Sequence, residues 1–247
     1  MAEMFELVFA GAALAIAGVS KGLVGMGLPP IAMGLLVLVM SPVEAASTMV
    51  VPALLTNVWQ GLRGPALRLL LGRFWPMLAL TGAATLVFAD ALATHADLAI
   101  AILGGLLMLY GAYSLASSDI TLTKTTERWA GPISGALTGV VTAFTGVSSM
   151  PSVPFLRAVG LNRDALVQAM GLSFSVSALA LMAALGLSGG FAGGFAGGSP
   201  VGIGVATVCA FVGMAAGTSL RRRLNEALFR RVLLCVLIAL GGYLLVR

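Results

Sequence analysis

Residues 15–34 read AIAGVSKGLVGMGLPPIAMG. Lys21 is the only charged residue between Glu6 and Glu44, and it stands where an apolar run breaks up into glycines and ends in Pro29-Pro30. Glycine and proline are the two weakest helix formers. A single cation beside such a break, with apolar sequence on both sides, calls for a physical reason.

Working outward, the chain has 247 residues, of which 59% are hydrophobic and 9% charged. A soluble domain carries roughly 25% charged residues. Uncharged runs cover 22–43, 45–62, 74–89, 98–118, 129–156, 165–220 and 232–246. A helix that crosses a bilayer needs about 20 mostly apolar residues. The runs therefore predict an all-α polytopic membrane protein of the plasma or inner membrane. A β-barrel is excluded, because its strands alternate over segments of about ten residues. The net charge of +5 does not mark a nucleic-acid binder: five arginines fall in 221–231 and three in 63–73. Such clusters mark cytoplasmic loops. The N-terminal residues read as a first helix rather than a cleaved leader.

Apolar segments are expected near 4–20, 28–40, 44–62, 73–89, 97–116, 130–147, 152–160, 164–187, 200–219 and 231–246. Segments 28–40 and 152–160 are too short to cross alone. They hold matching places in two halves. A shift of 121 carries Gly18 to Gly139, Gly25 to Gly146 and Pro30 to Pro151, and after one gap Glu44-Ala45 falls on Asp164-Ala165. The expected organisation is one membrane domain built of two repeats, 1–120 and 121–247, with four to five helical segments each. If both arginine clusters are cytoplasmic, the repeats are inverted. Broken helices at matching positions of inverted repeats point to a transport site at the repeat interface. A parallel repeat with one cluster outside is the alternative. The stretch 90–97, with Asp90, His95 and Asp97, and the Gly-rich stretch 186–198 then face outside.

A broken helix exposes backbone N–H groups, and a helix N-terminus favours anions. Gly25, Gly27, Pro29 and Pro30 lead into one short helix; Gly146, Ser148, Ser149, Pro151 and Ser152 lead into the other. Lys21 adds a full positive charge on one side, and its counterpart Thr142 does not. Ser20, Thr145, Asn57, Gln60 and Gln168 supply further donors, while Gly22 and Gly139 belong to the helix scaffold. The alternative for Lys21 is an interfacial lysine whose stem reaches to water. For Glu44 and Asp164 it is a first-turn charge on the helix dipole, which leaves no clear proton relay.

The enzyme readings are poor. His95 is a solvated loop residue, no His/Cys/Asp cluster has metal-ligand spacing, and no base stands ready for a serine nucleophile. Cys209 and Cys235 read as packing residues. No cofactor is expected.

At GVSKGLVGMGLPP, PVEAA (42–46), GALTGVVTAFTGVSSMP and GLNRDALVQAMGLSFSVSALAL the sequence resembles the sulfite exporter (TauE/SafE) family over nearly its whole length. Many members carry GxGGG where this chain has Gly25-Met26-Gly27-Leu28. The resemblance implies a secondary transporter of small sulfur-containing or carboxylated anions, with its motif regions near the pore. Carried over by position, those regions hold Lys21, Gly22, Gly25, Gly27 and Pro30, then Gly139, Gly146, Ser148, Ser149, Pro151 and Gln168. The expected partners are a small anion, the bilayer and a proton or other coupling ion. A passive anion channel and a non-transporting, partner-binding membrane protein are the alternatives.

Overall fold

The computed structural model describes residues 2–116, 121–190, 200–221 and 226–246. Among these, all regular structure is helical: α1 (Ala2–Val24), α2 (Leu28–Leu36), α3 (Pro42–Leu62), α4 (Leu67–Val87), α5 (Ala91–Thr94) and α6 (Ala96–Ala116), then α7 (Lys124–Thr145), α8 (Ser152–Ala158), α9 (Arg163–Leu187), α10 (Pro200–Leu220) and α11 (Glu226–Val246). Helices α1, α4, α6, α9, α10 and α11 are long and apolar enough to cross a membrane. Helices α3 and α7 are as long, with 21 and 22 residues, but are richer in Ser, Thr, Asn and Gln. Helix α3 carries buried Thr56 and Asn57 and α7 buried Thr138, Thr142 and Thr145, while α7 also starts with Lys124, Glu127 and Arg128.

The helices overrun the apolar segments at several ends. α1 continues through Val24, which puts Lys21 in its last turn. α4 begins at Leu67, so Arg68 and Arg73 lie on its first turns and not in a loop. Arg230 and Arg231 lie on α11. The 90–97 stretch folds into the single turn of α5, with Asp97 already on α6. Charge does not end a helix; long basic side chains reach water from its interfacial turns. Residues 191–198 of the Gly-rich stretch, and Arg222 and Arg223, lie outside the described residues.

Local chemistry sets the helix starts. Ser41 accepts from the Glu44 N–H while the Glu44 carboxylate accepts from Ser41 N–H, a reciprocal capping box. At the matching start of α9, Asn162 Oδ1 accepts from Ala165 N–H at 2.9 Å. Glu44 and Asp164 thus stand in first turns, where negative charge complements the dipole.

Glycines set the closest packing. A Cβ on Gly18 or Gly22 of α1 would run into the Ala210 or Met214 carbonyl of α10, and one on Gly135 or Gly139 of α7 into the Met77 or Thr81 carbonyl of α4. Small residues allow this backbone approach in membranes. In both pairs residue numbers rise together, so α1 and α10 run parallel, as do α4 and α7. Helices α3 and α9 run antiparallel: Ser47 donates to Gly190 O at one end, and Gln168 to Gly61 O at the other. Helices α6 and α11 are also antiparallel, with Gly104 against Gly241 and Gly111 against Leu234. Corresponding helices of the two halves therefore either pair antiparallel or exchange partners. Duplicated halves of opposite orientation produce this pattern, and it is consistent with the repeat read from the sequence.

These directions also sort the charges. Arg63, Arg68, Arg73, Lys124, Arg128, Arg157, Arg163, Arg221, Arg230 and Arg231 gather at one end of the bundle. The opposite end holds Glu6, Glu44, Asp90 and Asp97 and, among the described residues, no lysine or arginine. The three tryptophans stand near the basic end: Trp59, Trp75 and Trp129 are 46%, 62% and 72% exposed, as in an interfacial aromatic belt. The Arg63 guanidinium lies over the Trp59 ring, 3.6 Å from its centroid.

Candidate functional site

Gly25 and Gly146, 121 positions apart, take left-handed φ values of 82° and 69°. Each donates its N–H back across one turn, Gly25 to Lys21 O and Gly146 to Thr142 O, both at 2.8 Å. A left-handed cap of this kind ends a helix and favours glycine. Both breaks are thus built alike, and they approach the middle of the bundle from opposite sides. Gly25 sits against Val167 on the first turns of α9, at the basic end; Gly146 sits against Ala46 and Met49 on the first turns of α3.

The stretches that lead into the two short helices still meet, because Pro29 lines one small cavity with Gly146 and Ser148. What is corrected is the expectation of free backbone donors there. Pro29 and Pro30 occupy the first turn of α2 and carry no N–H, and Ile31 N–H is taken by Gly27 O. Helix α8 has seven residues, and its Val153 and Phe155 N–H groups are held by Ser149 O and Pro151 O. Neither helix presents a free row of backbone donors.

Side chains do more. Lys21 is 3% exposed; its Nζ donates to Thr56 Oγ1 at 3.1 Å and to Asn57 Oδ1, both on α3. No carboxylate pairs with it: the ion pair among the described residues is Arg73 with Glu127. The Lys21 amine therefore does not snorkel to water. Two buried polar atoms near it have no partner among the described residues, Asn57 Nδ2 and Ser20 Oγ. A Cβ on Gly27 would lie 2.9 Å from Ser20 Oγ, so that glycine, with φ 106°, clears room for the hydroxyl.

Asn57 also lines a small cavity with Pro29 of α2, Met49 and Ala53 of α3, Thr142, Gly146 and Ser148 around the end of α7, and Phe174 and Ser177 of α9. It lies near the middle of α3 and α9, hence near mid-membrane. Its free volume is about 10 Å³, room for one water. Five of the sequence-predicted residues, Asn57, Thr142, Gly146, Ser148 and Pro29, meet here, and Lys21 reaches the cavity wall through Asn57.

Other predicted residues have structural employment. Gln168 donates to Gly61 O and Gly64 O and accepts from Ala66 N–H, pinning the α3–α4 turn. Gln60 ties Gly25 O to Val167 O. Thr145 donates to Val141 O and accepts from Val147 N–H, closing the α7 cap. Ser152 donates to Ser148 O; Ser149 is buried, and its carbonyl caps α8. Gly22 and Gly139 are contact glycines, while Pro30 and Pro151 begin the short helices. Met26 accepts from Tyr110 and Arg157.

Sequence reasoning missed Thr56, Phe174 and Ser177. Thr56 adjoins Asn57 as a polar pair in an apolar helix, and Ser177 repeats Ser173 at one turn on α9; both signals were legible. Nothing marked Phe174.

A duplicated helix break, one buried cation without a counter-charge and a small cavity beside it are thus brought together by the fold. Residues 10–244 match the family profile described as Sulfite exporter TauE/SafE. The chain belongs to that family. It is thus a multi-pass membrane protein of a family of sulfur-anion transporters, for which a small anion is the implied substrate. No curated protein and no solved structure matches the chain. Within this TauE/SafE chain, the distinctive blocks identified from sequence are the two breaks and the α9 run that faces the cavity.

Proposed function

We propose that this TauE/SafE protein is a secondary transporter that carries a small oxyanion, of the sulfite, organosulfonate or carboxylate kind, by alternating access. Its two inverted repeats are residues 1–120 and 121–247, and its basic end faces the cytoplasm, as the positive-inside rule requires. The anion binds in the cavity between α3, α7 and α9, beside Lys21 and Asn57.

One observation carries this reading: Lys21 is buried with only neutral partners. A buried ammonium without a counter-charge is costly. An arriving anion supplies that charge, and Asn57 Nδ2 supplies an unclaimed donor beside it. The ammonium, Asn57 amide and Ser148 hydroxyl give charge and several donors to an ion with several equivalent oxygens. The matched breaks provide the two bends at which the halves can rock.

The small size of the cavity favours a transporter over a channel. An open channel needs a continuous pore, and this cavity holds about one water. An oxyanion enters only when helices separate on one side.

The test is flux in proteoliposomes. Sulfite, a short alkyl sulfonate and a small carboxylate are offered with and without a pH gradient. Saturable uptake of at least one, driven uphill by a second gradient, supports the proposal. Strictly downhill, unsaturable flux supports the channel, and no flux of any of the three with intact protein overturns both.

A further inference from the structure

Five buried side-chain atoms lack a partner among the described residues. Two of them, Ser20 Oγ and Asn57 Nδ2, belong to the site above. The other three are Ser134 Oγ and Thr138 Oγ1 on α7 and Ser173 Oγ on α9. Buried hydroxyls normally find partners. Helix packing alone does not require them, because alanine fills the same space without a stranded polar atom.

Their spacing is informative. Ser134, Thr138 and Thr142 follow at four-residue steps along one face of α7, and Ser173 and Ser177 do so on α9. Thr142 and Ser177 line the central cavity. Ser134 is two turns nearer the basic end, about 12 Å along the helix from Thr142. Both hydroxyl rows therefore run from the central cavity toward the arginines.

A groove of about 410 Å³ opens at that end between α4, α7 and α8. Arg73, Lys124, Glu127 and Arg128 line it. Glu127 is engaged by Nε and Nη2 of Arg73 at 2.6 and 2.7 Å, which leaves Lys124 and Arg128 without a counter-charge among the described residues. The floor is apolar, of Phe74, Met77 and Phe155. Phe74 and Met77 also bound a second, small cavity beneath, whose polar wall is Ser173. The Phe74 and Phe155 rings meet edge to face, 6.1 Å apart at 86°, across this floor.

We infer that the anion passes between the cytoplasm and the central cavity through this groove, with the Phe74–Phe155 pair as its gate and the hydroxyls of Ser134, Thr138 and Ser173 as donors along the way. The inference rests on the proposed transport function. Lys124 and Arg128 concentrate anions at the mouth. The aromatic pair separates water from the interior, and the stranded hydroxyls donate to the ion's oxygens as it moves.

The test is side-specific labelling. Cys209→Ala and Cys235→Ala remove the native thiols, and Ser173→Cys or Ser134→Cys places one on the route. An anionic, membrane-impermeant sulfonatoethyl thiosulfonate is applied from either face of oriented vesicles. Labelling of Ser173→Cys from the basic face, slowed by a transported carboxylate and accelerated about tenfold by Phe74→Ala, is expected. Labelling only from the acidic face, or no labelling from either face with protein that remains monodisperse, overturns the route. In a second arm the variant S134A/T138V/S173A keeps its Tm, since no protein hydrogen bond is lost, while flux falls about tenfold, the equivalent of one donor to a charge. Unchanged flux, or flux loss matched by a lowered Tm, counts against the route. The two readings separate cleanly. Flux without basic-face labelling overturns the route alone, and labelling without flux overturns the transport function.

Discussion

Lys21 on α1 and Asn57 on α3 are joined by a buried hydrogen bond, and the same Asn57 forms part of the cavity wall. The ammonium meets an amide oxygen and a hydroxyl but no carboxylate. Under the proposed function a bound anion balances the charge at this point, and that defines the first test. Lys21→Met keeps the stem and removes the charge. Anion affinity is expected to fall about 10- to 100-fold, the range for losing a charge-assisted hydrogen bond, with little loss of Tm. Titrating the anion against thermal unfolding checks this; unchanged affinity removes Lys21 from the site. Lys21→Arg restores charge but not the compact fit, and recovers only part of the binding.

Asn57→Asp places a carboxylate where the amide stands. Lys21 then has an internal partner, so the apoprotein is expected to gain Tm while stabilisation by added anion disappears. Asn57→Leu strips both roles and costs about 1–3 kcal/mol by leaving Lys21 under-satisfied. Thermal unfolding with and without anion separates the two substitutions.

The packing glycines differ sharply in what they tolerate. On Gly22 a Cβ collides with the α10 backbone, whereas on Gly72 it meets nothing within 4 Å. Gly22→Ala is expected to lose about 1–3 kcal/mol through overpacking. Gly72→Ala is neutral or stabilising by up to about 1 kcal/mol, because alanine is the better helix former. Unfolding in mixed detergent micelles compares them directly.

At the second break the penalty is conformational. A Cβ on Gly146 finds its nearest neighbours at ordinary contact distance, 3.4 Å, but φ is 69°. Gly146→Ala should cost about 1–2 kcal/mol, the left-handed backbone penalty. Gly25→Ala carries the same penalty plus a tight 3.1 Å approach to Val167, so it is expected to lose at least as much. Equal stability of Gly146→Ala and wild type in a Tm measurement would contradict the cap geometry.

Gln168 offers a test of division of labour. It pins Gly61, Gly64 and Ala66 and does not line the cavity. Gln168→Ala should lower stability and maximal flux while leaving anion affinity within about twofold, since it removes no ligand donor. A selective loss of affinity would return Gln168 to the binding site.

Much of this was legible along the chain. Apolar run length alone dictates helices in a bilayer, because lipid offers no partner to an open backbone. The glycines and prolines near 25–30 and 146–151 marked both breaks, because left-handed caps and proline starts leave a local imprint. Lys21 and Asn57 were conspicuous as polar groups in apolar sequence. The partner of each was not legible: spacing along a chain does not say that α1 reaches α3 at Thr56 and Asn57, or that Gln168 faces a turn. The loss of two N–H donors from the first turn of α2 was legible in Pro29-Pro30, because proline carries none.

The sequence by itself determined the class, the helix breaks and the residue types at them, since each follows from local backbone chemistry and hydropathy. Only the tertiary structure decided where the breaks lie. Glycine contacts make α1 parallel to α10 and α4 to α7, with α3 and α9 antiparallel between them, so the two breaks approach one cavity from opposite sides, Pro29 on one and Gly146 and Ser148 on the other. Burial of Lys21 among neutral groups is likewise a property of that packing, because it depends on which helix faces meet.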